Sequence, residues 1–496
     1  MDEQEAIALR AAVPWAKQHH LRVALLQRLD EEIAAAPDAL GPRVERAGVF
    51  ADLGLRMEAI AAYADVLSRD AHRYDAMLPL AKLLGEHGDL EGAKAVYYEA
   101  ARAHPHRPEP LTGLGEILLA LGDEPGARTA YEAALTVEPG YAPAHRGLAP
   151  IYHRAGEREA AERAWRAGYP NGATAISAYR GPGEPVRVLL LMSVLGGNVP
   201  LQHVLDAHVF QWAELHVETH RAGAALPPHA LVFNAIGDAD RCAGALEVAD
   251  AVASTSGARL LNAPARVRET GRVENARRLG ALDDVVAPRI ARYRRDELAA
   301  ADAAAVLARD GFAWPVLVRS PGYHTGEHFT RAADLTSLRA AIADFPGDEL
   351  LAIEYLHTPA PDGTFRKYRV LAIDGRLYPL HLAIGREWKV HYFSAAMEAH
   401  AAFREEEHRF LADMHGVLGS RAITALKRIA STLGLAYCGI DFALDGDGRV
   451  VLYEANATMV ILPAPPGEQW DYRRPAIDAA LQAARALLLR SARPLP

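Results

Sequence analysis

Residues 439–459, GIDFALDGDGRVVLYEANATM, predict a β-hairpin late in the chain. Its outer parts, 439–444 and 449–453, are rich in the apolar and β-branched residues that strands favour. The DGDG sequence at 445–448 is typical of a hairpin turn. Side chains alternate between the two faces of a strand, so this hairpin also predicts which of its polar residues lie together.

Three side chains with oxygen ligands are expected on one face of the hairpin. Asp441 lies on the first strand, and Glu454 and Asn456 lie two residues apart on the second. A few hard oxygen ligands, with positions left for phosphate oxygens and water, suit magnesium bound to a nucleotide. Asp441 and Glu454 are surrounded by apolar residues, where an unpaired charge is costly. We therefore favour a metal site over the alternative of carboxylates on an exposed hairpin.

These residues resemble the last core hairpin of the ATP-grasp superfamily, in which an Asp and a Glu-x-Asn hold magnesium ions. The resemblance extends over roughly residues 186–490, and residues 261–288 look like the segment that leads into the nucleotide-binding lobe. It implies ATP and Mg²⁺ as cofactors, with two ions expected on the three ligands.

A second segment, GFAWPVLVRSPGYHTGEHF at 311–329, resembles the superfamily's strand with a phosphate-binding basic residue, followed by a flexible glycine loop. The basic residue here is Arg319, where the superfamily more often has Lys. Arginine keeps the charge and can grip phosphate oxygens with its planar fork. The loop 320–326, with Gly322 and Gly326, would close over the phosphates, and the alternative is an ordinary connection between two strands.

The run ELLAIEYLH at 349–357 resembles the hinge between the two lobes, whose backbone meets the adenine edge. Glu354, Tyr355 and Leu356 occupy the corresponding positions. The resemblance therefore implies that these three residues bind the nucleotide base, with apolar neighbours on either side of the ring.

Two alternating strands follow in FRKYRVLAIDGRLYPLHLAI at 365–384, around an expected turn at Asp374-Gly375. Lys367 and Arg369 alternate onto one face of the first strand. The resemblance implies that a basic residue here steadies the transferred phosphate, and we assign Arg369 to this role with Lys367 beside it. The alternative is a solvated pair of cations.

The segment after these strands contributes further candidates. Lys389, with Arg386 and His391, is a candidate for contacts to substrate or phosphate. Residues 399–434 predict helices, and the acidic run Glu405–Glu407 within them is expected to form a solvated face.

The first part of the chain has a repeat of 34 residues. Four columns keep this spacing: Gly54, Gly88, Gly122 and Gly156; Ala59, Ala93, Ala127 and Ala161; Tyr63, Tyr97, Tyr131 and Trp165; and Pro105 with Pro139. The pattern predicts one helical hairpin per unit, with a glycine at the turn, an alanine where the helices approach, and an aromatic side chain between hairpins.

This pattern resembles the tetratricopeptide repeat (TPR) family over residues 43–169, and residues 1–42 are expected to form an additional helix or cap. The leading Trp of the family pattern is missing. Such arrays usually bind a peptide or protein in a groove, which here would present a substrate. The alternative is a spacer or an arm for homo-oligomerisation.

Residues 170–185 are rich in Gly, Pro and small side chains and predict a linker. Strands alternating with helices over 186–290 then predict a small α/β subdomain with a parallel sheet. Gly196 and Gly197 lack the third glycine of a dinucleotide fingerprint, so a tight turn is favoured. Residues 291–496 complete the nucleotide-binding and catalytic lobes, giving a multidomain chain with an all-α solenoid followed by an α+β fold.

Composition excludes several classes of protein. A chain of 496 residues is too long for one hydrophobic core, and its net charge of −9 disfavours nucleic acid as a partner. No apolar run reaches the roughly 18–20 residues that span a bilayer. The first residues lack a secretory signal, so a cytoplasmic protein is expected. Cys242 and Cys438 fit no disulfide or metal spacing and are expected to be buried thiols.

The resemblance implies an ATP-dependent ligase that joins a carboxylate to an amine through an acyl phosphate. Three functions remain open from the sequence. In the first, the ligase acts on a peptide or carrier protein recognised by the repeats. In the second, it acts on a free amino acid or small metabolite, and the repeats serve assembly. In the third, the chain is a nucleotide-sensing scaffold with an inactive site.

Overall fold

The computed structural model describes residues 22, 24–155, 157–169, 173–221, 223–323, 326, 328–390, 397–464 and 467–493. The chain divides into two compact units. The first consists mainly of residues up to Thr174, and the second mainly of residues from Pro185 onward. None of the helices in these ranges is both long enough and apolar enough to cross a lipid bilayer.

Helical hairpins form the first unit. Residues 24–35 are helical, as expected of an additional helix. The predicted boundary at 42/43 falls inside the next helix. Helices α1 to α8 follow in pairs: Leu40–Asp52, Arg56–Arg69, Tyr74–His87, Leu90–Ala103, Pro108–Ala120, Glu124–Val137, Ala142–Arg154 and Arg158–Gly168.

The repeat columns take the predicted positions. Gly54, Gly88 and Gly122 have positive φ values at the turns, whereas Gly156 lies outside the described residues. The four alanines are fully buried, and Pro105 and Pro139 lie in turns after second helices. A Cβ atom at Gly113 would lie 2.3 Å from the Tyr97 ring, so the aromatic column fills the space between hairpins. The prediction of a helical-hairpin repeat is confirmed.

The second unit begins with a five-stranded sheet in the order β1-β3-β2-β4-β5. Its strands are β1 Ala173–Ile176, β2 Val186–Met192, β3 Phe210–His216, β4 Leu231–Asn234 and β5 Arg259–Leu261. Strands β2 to β5 pair in parallel, which confirms the predicted parallel sheet. Gly196 and Gly197 have positive φ values in the loop after β2, as a tight turn requires.

Two further sheets are mainly antiparallel. One has the order β7-β10-β8-β9 and the other β12-β11-β13-β14-β6. The strands are β6 Val285–Val286, β7 Ile290–Arg294, β8 Val316–Arg319, β9 Phe329–Ala332, β10 Glu349–Glu354, β11 Phe365–Ile373, β12 Arg376–Gly385, β13 Tyr437–Leu444 and β14 Val450–Asn456. Both predicted hairpins are confirmed, with turns at Asp374-Gly375 and at 445–448.

Nine more helices of the second unit, counted within its described residues, are α9 Ala243–Ser254, α10 Pro264–Arg268, α11 Arg272–Leu279, α12 Arg295–Ala299, α13 Ala303–Arg309, α14 Leu335–Ala343, α15 Ala401–Ala412, α16 Met414–Leu433 and α17 Arg474–Ser491. Cys242 and Cys438 are free and buried, as expected.

The structure differs from the sequence predictions at three places. The predicted linker contains β1, a strand too short to show against its Gly- and Pro-rich surroundings. Strand β6 lies in the predicted first subdomain but pairs with β14. The solvated face predicted at Glu405–Glu407 is wrong for Glu407, which is fully buried because it pairs with Arg473.

Candidate functional site

A row of four side chains crosses the sheet that contains the predicted hairpin. His381 on β12 lies opposite Arg369 on β11, Arg369 lies opposite Asp441 on β13, and Asp441 lies opposite Glu454 on β14. Residues directly opposite on neighbouring strands share a face of the sheet. The structure therefore brings Arg369, Asp441 and Glu454 together as the sequence predicted.

Asp441 is fully buried between two cations. Its Oδ1 and Oδ2 accept hydrogen bonds of 2.6 and 2.7 Å from the Arg369 guanidinium, and Lys367 Nζ lies 2.7 Å from Oδ2. Burial alone would raise the pKa of Asp441, but the charges of Arg369 and Lys367 outweigh it and lower that pKa. Lys367 and Arg369 thus share a face, and both pair with a carboxylate rather than with solvent.

Glu454 joins a second cation to the row. Its Oε1 accepts hydrogen bonds of 2.5 Å from Arg272 Nη2 and 2.7 Å from Asn456 Nδ2. Burial would raise the pKa of Glu454, yet the charges of Arg272 and Arg319 lower it. Asn456 Oδ1 accepts from the backbone N–H and the hydroxyl of Thr458. Glu454 and Asn456 are thus in contact, which agrees with their predicted position on one face of the strand.

Arg319 ends β8 and is buried, with one guanidinium nitrogen donating to the Tyr323 carbonyl. Burial and the nearby Arg272 lower its pKa to about 10. Its Nε is buried without a hydrogen-bond partner among the described residues. A buried cation with an unused donor is suited to an anionic ligand such as a phosphate.

A cavity of about 160 Å³ lies beside this charged row. Seven predicted site residues line it: Arg319, Glu354, Tyr355, Leu356, Lys367, Lys389 and Glu454. Leu317, Ile353, Phe329 and Trp388 belong to the apolar cluster at this place. The segments predicted to form the hinge, the basic strand and the strand with the metal ligands therefore meet at one cavity.

Lys389 connects the glycine loop to the segment after β12. Its Nζ donates hydrogen bonds of 2.7 Å to the Gly326 carbonyl and 3.0 Å to the Phe329 carbonyl. Gly322 and Gly326 both have positive φ values, and the Gly322 carbonyl accepts from Arg241. The predicted loop residues 324 and 325 and the candidate His391 lie outside the described residues.

A second cavity, of about 570 Å³, shares six residues with the first: Arg319, Phe329, Lys367, Lys389, Val390 and Glu454. Arg369, Asp441 and Gly326 line it as well. Of the predicted residues, Gly322 and Asn456 line neither of these two cavities. Asn456 instead lines a small neighbouring cavity with Arg272 and Glu454.

Two β-bulges flank the charged row. Arg369 and Val370 pair with His381 and Pro379, which leaves Leu380 as the extra residue on β12. The same shift on β14 makes Tyr453 the extra residue beside Glu454. Consecutive residues of a regular strand point to opposite faces, but next to a bulge two neighbours can face one side. Tyr453 and Glu454 accordingly both line the first cavity, and Leu380 and His381 both line the second.

The donor set fits a magnesium ion in part. Glu454 Oε2 accepts no hydrogen bond from a described residue, so this oxygen is available as a metal ligand. A cation on Asp441 would compete with the ion pairs to Arg369 and Lys367. Within the described part of the chain, no group of three or more His, Cys, Asp or Glu side chains is arranged to hold a metal. The predicted set contains only two residues of these types, Asp441 and Glu454, and its third member is the amide of Asn456.

Two residues of this site were not predicted. Arg272 precedes Glu454 by 182 positions, so no local pattern connects them. His381 is buried, and burial together with the Arg369 charge lowers its pKa well below the ordinary value. The pairing of His381 with Arg369 could not be counted from the hairpin turn, because the bulge adds one residue to β12 and shifts the register.

No family model matches this chain, and no curated protein matches it. Solved structures with a similarity to the N-terminal third include MamA (16% identity, TM-score 0.29, 34% of this chain and 94% of MamA). Another is YrrB, described as a TPR protein with an unusual peptide-binding site (17% identity, TM-score 0.26, 29% of this chain and 73% of YrrB). A third is a tetratricopeptide repeat protein from Parabacteroides merdae (19% identity, TM-score 0.28, 34% of this chain and 66% of that protein). At these TM-scores the assignment of helical hairpins rests on the chain's own structure.

Proposed function

We propose that this chain is an ATP-dependent carboxylate–amine ligase with an ATP-grasp catalytic half. A substrate carboxylate oxygen attacks the γ-phosphorus of ATP, which forms an acyl phosphate and releases ADP. An amine nitrogen then attacks the acyl carbon, which forms an amide and releases phosphate and a proton. Both steps create or move negative charge at the phosphoryl group.

The excess of cations between the two cavities carries this proposal. Arg319, Lys367, Arg369 and Lys389 line the second cavity together with only two carboxylates, Asp441 and Glu454. Phosphoryl transfer depends mainly on positioning and charge neutralisation and needs little chemistry from a protein nucleophile. Fixed cations at the boundary between the two cavities supply that neutralisation without reorganisation.

Asp441, Glu454 and Asn456 would hold Mg²⁺, with Glu454 Oε2 as the accessible oxygen. Bound there, the ion would neutralise charge on the phosphates. The residues of the chain carry out the remaining work: Arg319 and Lys389 bind phosphate oxygens, and Arg369 and Lys367 orient the transferred group. Tyr355, Leu356 and the apolar cluster around Trp388 exclude water from the base.

Phosphate release from MgATP tests the proposal, measured with the full chain alone and with pools of amino acids and peptides. We expect one pool to stimulate release and to give a product whose mass equals the two substrates minus water. Glu454→Gln is expected to reduce this release at least about tenfold, because the site loses a carboxylate that faces the phosphates. Glu405→Gln, an exposed substitution, serves as the matched control. An E454Q variant as active as E405Q would remove Glu454 from the metal site.

The ion pairs of Asp441 favour a second candidate, a nucleotide-binding regulator that does not turn ATP over. Both oxygens of this carboxylate are already engaged by Arg369 and Lys367. Saturable ATP binding without phosphate release in every substrate pool would support the regulator and contradict the ligase.

We also propose that the helical hairpins bind a peptide or protein, which would be a substrate of the ligase. Stacked hairpins form extended surfaces of the kind that bind chains. An assembly role for the same hairpins is the alternative, with a small metabolite as substrate.

A further inference from the structure

The second cavity is charged at one end only. Arg319, Lys367, Lys389 and Glu454 line both cavities. Arg369 and Asp441 line only the second, but Asp441 pairs with Lys367 and with Arg369, so they lie beside this boundary. Away from this boundary, the described lining residues include no Asp, Glu, Lys or Arg. A ligand that fits the cavity therefore carries its negative charge at the boundary and is uncharged beyond it.

Apolar side chains from three elements form the uncharged end: Leu380 from β12, Ile477 from α17, and Met459, Val460 and Leu462 from the segment after β14. Leu380, Met459 and Ile477 are also part of the hydrophobic core of this unit, so the wall is backed by packed residues. A rigid apolar wall selects apolar groups, since a charged group placed there would lose its hydration without gaining a partner.

The dimensions of the second cavity exceed what a single amino acid needs. Its volume of about 570 Å³ lies within the range of about 300–1,000 Å³ that is usual for drug-sized ligands, which are larger than one amino acid. Gln202 and Thr458 add an amide and a hydroxyl to the lining. Such groups can pair with the backbone N–H and C=O groups of a bound chain segment.

We propose that this cavity receives the C-terminal end of a peptide whose last side chain is apolar. The terminal carboxylate lies at Lys367, Arg369 and Lys389, and the last side chain contacts Leu380, Met459 and Leu462. This inference rests on the proposed ligase function, in which that carboxylate is the group that ATP activates. It defines the substrate class: a peptide acid with an apolar C-terminal residue.

Equilibrium binding tests the inference separately from catalysis. Three probes, acetyl-Ala-Ala-Leu, acetyl-Ala-Ala-Glu and the C-terminal amide of acetyl-Ala-Ala-Leu, are titrated calorimetrically into the full chain with Mg²⁺ and a non-hydrolysable ATP analogue. We expect the Leu acid to bind at least about tenfold more tightly than the Glu acid, as burial of a leucine side chain implies. The amide is expected to bind weakly, because the cations lose their anionic partner.

A charge substitution at the apolar end gives the matched test. Leu462→Glu places an anion in the cavity wall, and Val417→Glu places one on α16, outside the cavity. Both side chains are 38% exposed, so the two substitutions carry similar risks for folding. We expect L462E to weaken binding of the Leu acid about tenfold and to favour acetyl-Ala-Ala-Lys, whereas V417E leaves the order of affinities unchanged.

The outcomes separate this inference from the proposed function. Equal affinities for the Leu and Glu acids, or an L462E variant that behaves like V417E, would overturn the assignment of the cavity even if some carboxylate stimulated phosphate release. Selective binding of the Leu acid without phosphate release in any pool would contradict the ligase and leave the cavity assignment in place.

Discussion

Replacing Glu407 with Gln removes the negative charge from a buried ion pair. Glu407 Oε2 accepts hydrogen bonds from Arg473 Nε at 3.0 Å, Arg473 Nη2 at 2.5 Å and the Tyr472 hydroxyl at 2.5 Å, and Oε1 accepts from the Leu382 backbone N–H. Burial raises the pKa of Glu407, and the Arg473 charge opposes this. The pair connects α15 to the segment before α17 and to β12 beside His381.

The expected loss follows from the burial of both partners. Glu407 is fully buried and Arg473 is 3% exposed, so the charge left on Arg473 cannot be solvated by water. Removing one partner of such a pair typically costs about 3–5 kcal/mol. Glutamine keeps an oxygen that can accept hydrogen bonds, so we expect the lower figure, about 3 kcal/mol. With an m-value of about 3 kcal/mol/M in urea, the unfolding midpoint falls by about 1 M.

Urea unfolding followed by tryptophan fluorescence measures this shift in the full chain. Trp470 is a local reporter, because the Arg473 guanidinium carbon lies 4.1 Å from its ring centroid. Glu405→Gln, two positions away on the exposed side, is the control and should shift the free energy of unfolding by less than about 0.5 kcal/mol. The double variant Glu407→Leu with Arg473→Met should recover most of the loss, because it removes both buried charges.

An E407Q variant with the midpoint of wild type would refute this reasoning. So would a double variant less stable than E407Q, since that result would assign the stability to shape rather than to charge. The double-mutant comparison is needed because each residue also packs against its neighbours.

Two further predictions concern the charged row and the repeats. Burial lowers the pKa of His381 in the folded chain, so the unfolded chain takes up a proton first as pH falls. The free energy of unfolding therefore decreases below about pH 6.5. Urea midpoints between pH 7 and 5 should fall less for His381→Gln than for wild type, and equal slopes would show that His381 does not titrate in this way. Deleting residues 1–170 should preserve ATP affinity, measured by calorimetry, but impair the use of a peptide or protein substrate, and full retention of that use would reduce the hairpins to a spacer.

Local pattern was sufficient for much of the fold. Alternation placed Lys367 and Arg369 on one face, and Glu454 and Asn456 on one face, and the structure confirms both pairs. The 34-residue spacing likewise predicted the helical hairpins, because each unit reuses the same turn and the same close contacts. These features depend on residues that are near one another in sequence.

Features that depend on distant residues could not be predicted in the same way. Glu407 belongs to a run of three acidic residues that resembles a solvated face, and only Arg473, 66 positions later, explains its burial. Arg272 reaches Glu454 across 182 positions. A buried charge is stable when a partner lies in the adjacent element, and that partner is a property of the tertiary structure.

The bulges at Leu380 and Tyr453 also constrain how this sheet can evolve. Loss of one residue from a regular strand moves the side chains beyond it to the opposite face, and loss of the extra residue at either bulge restores strict alternation. Deleting one residue at Tyr453 would leave a single side chain where Tyr453 and Glu454 now line the first cavity together. Sequence change along these two strands is therefore expected to accumulate as substitutions, while insertions and deletions are confined to the turns and loops around them.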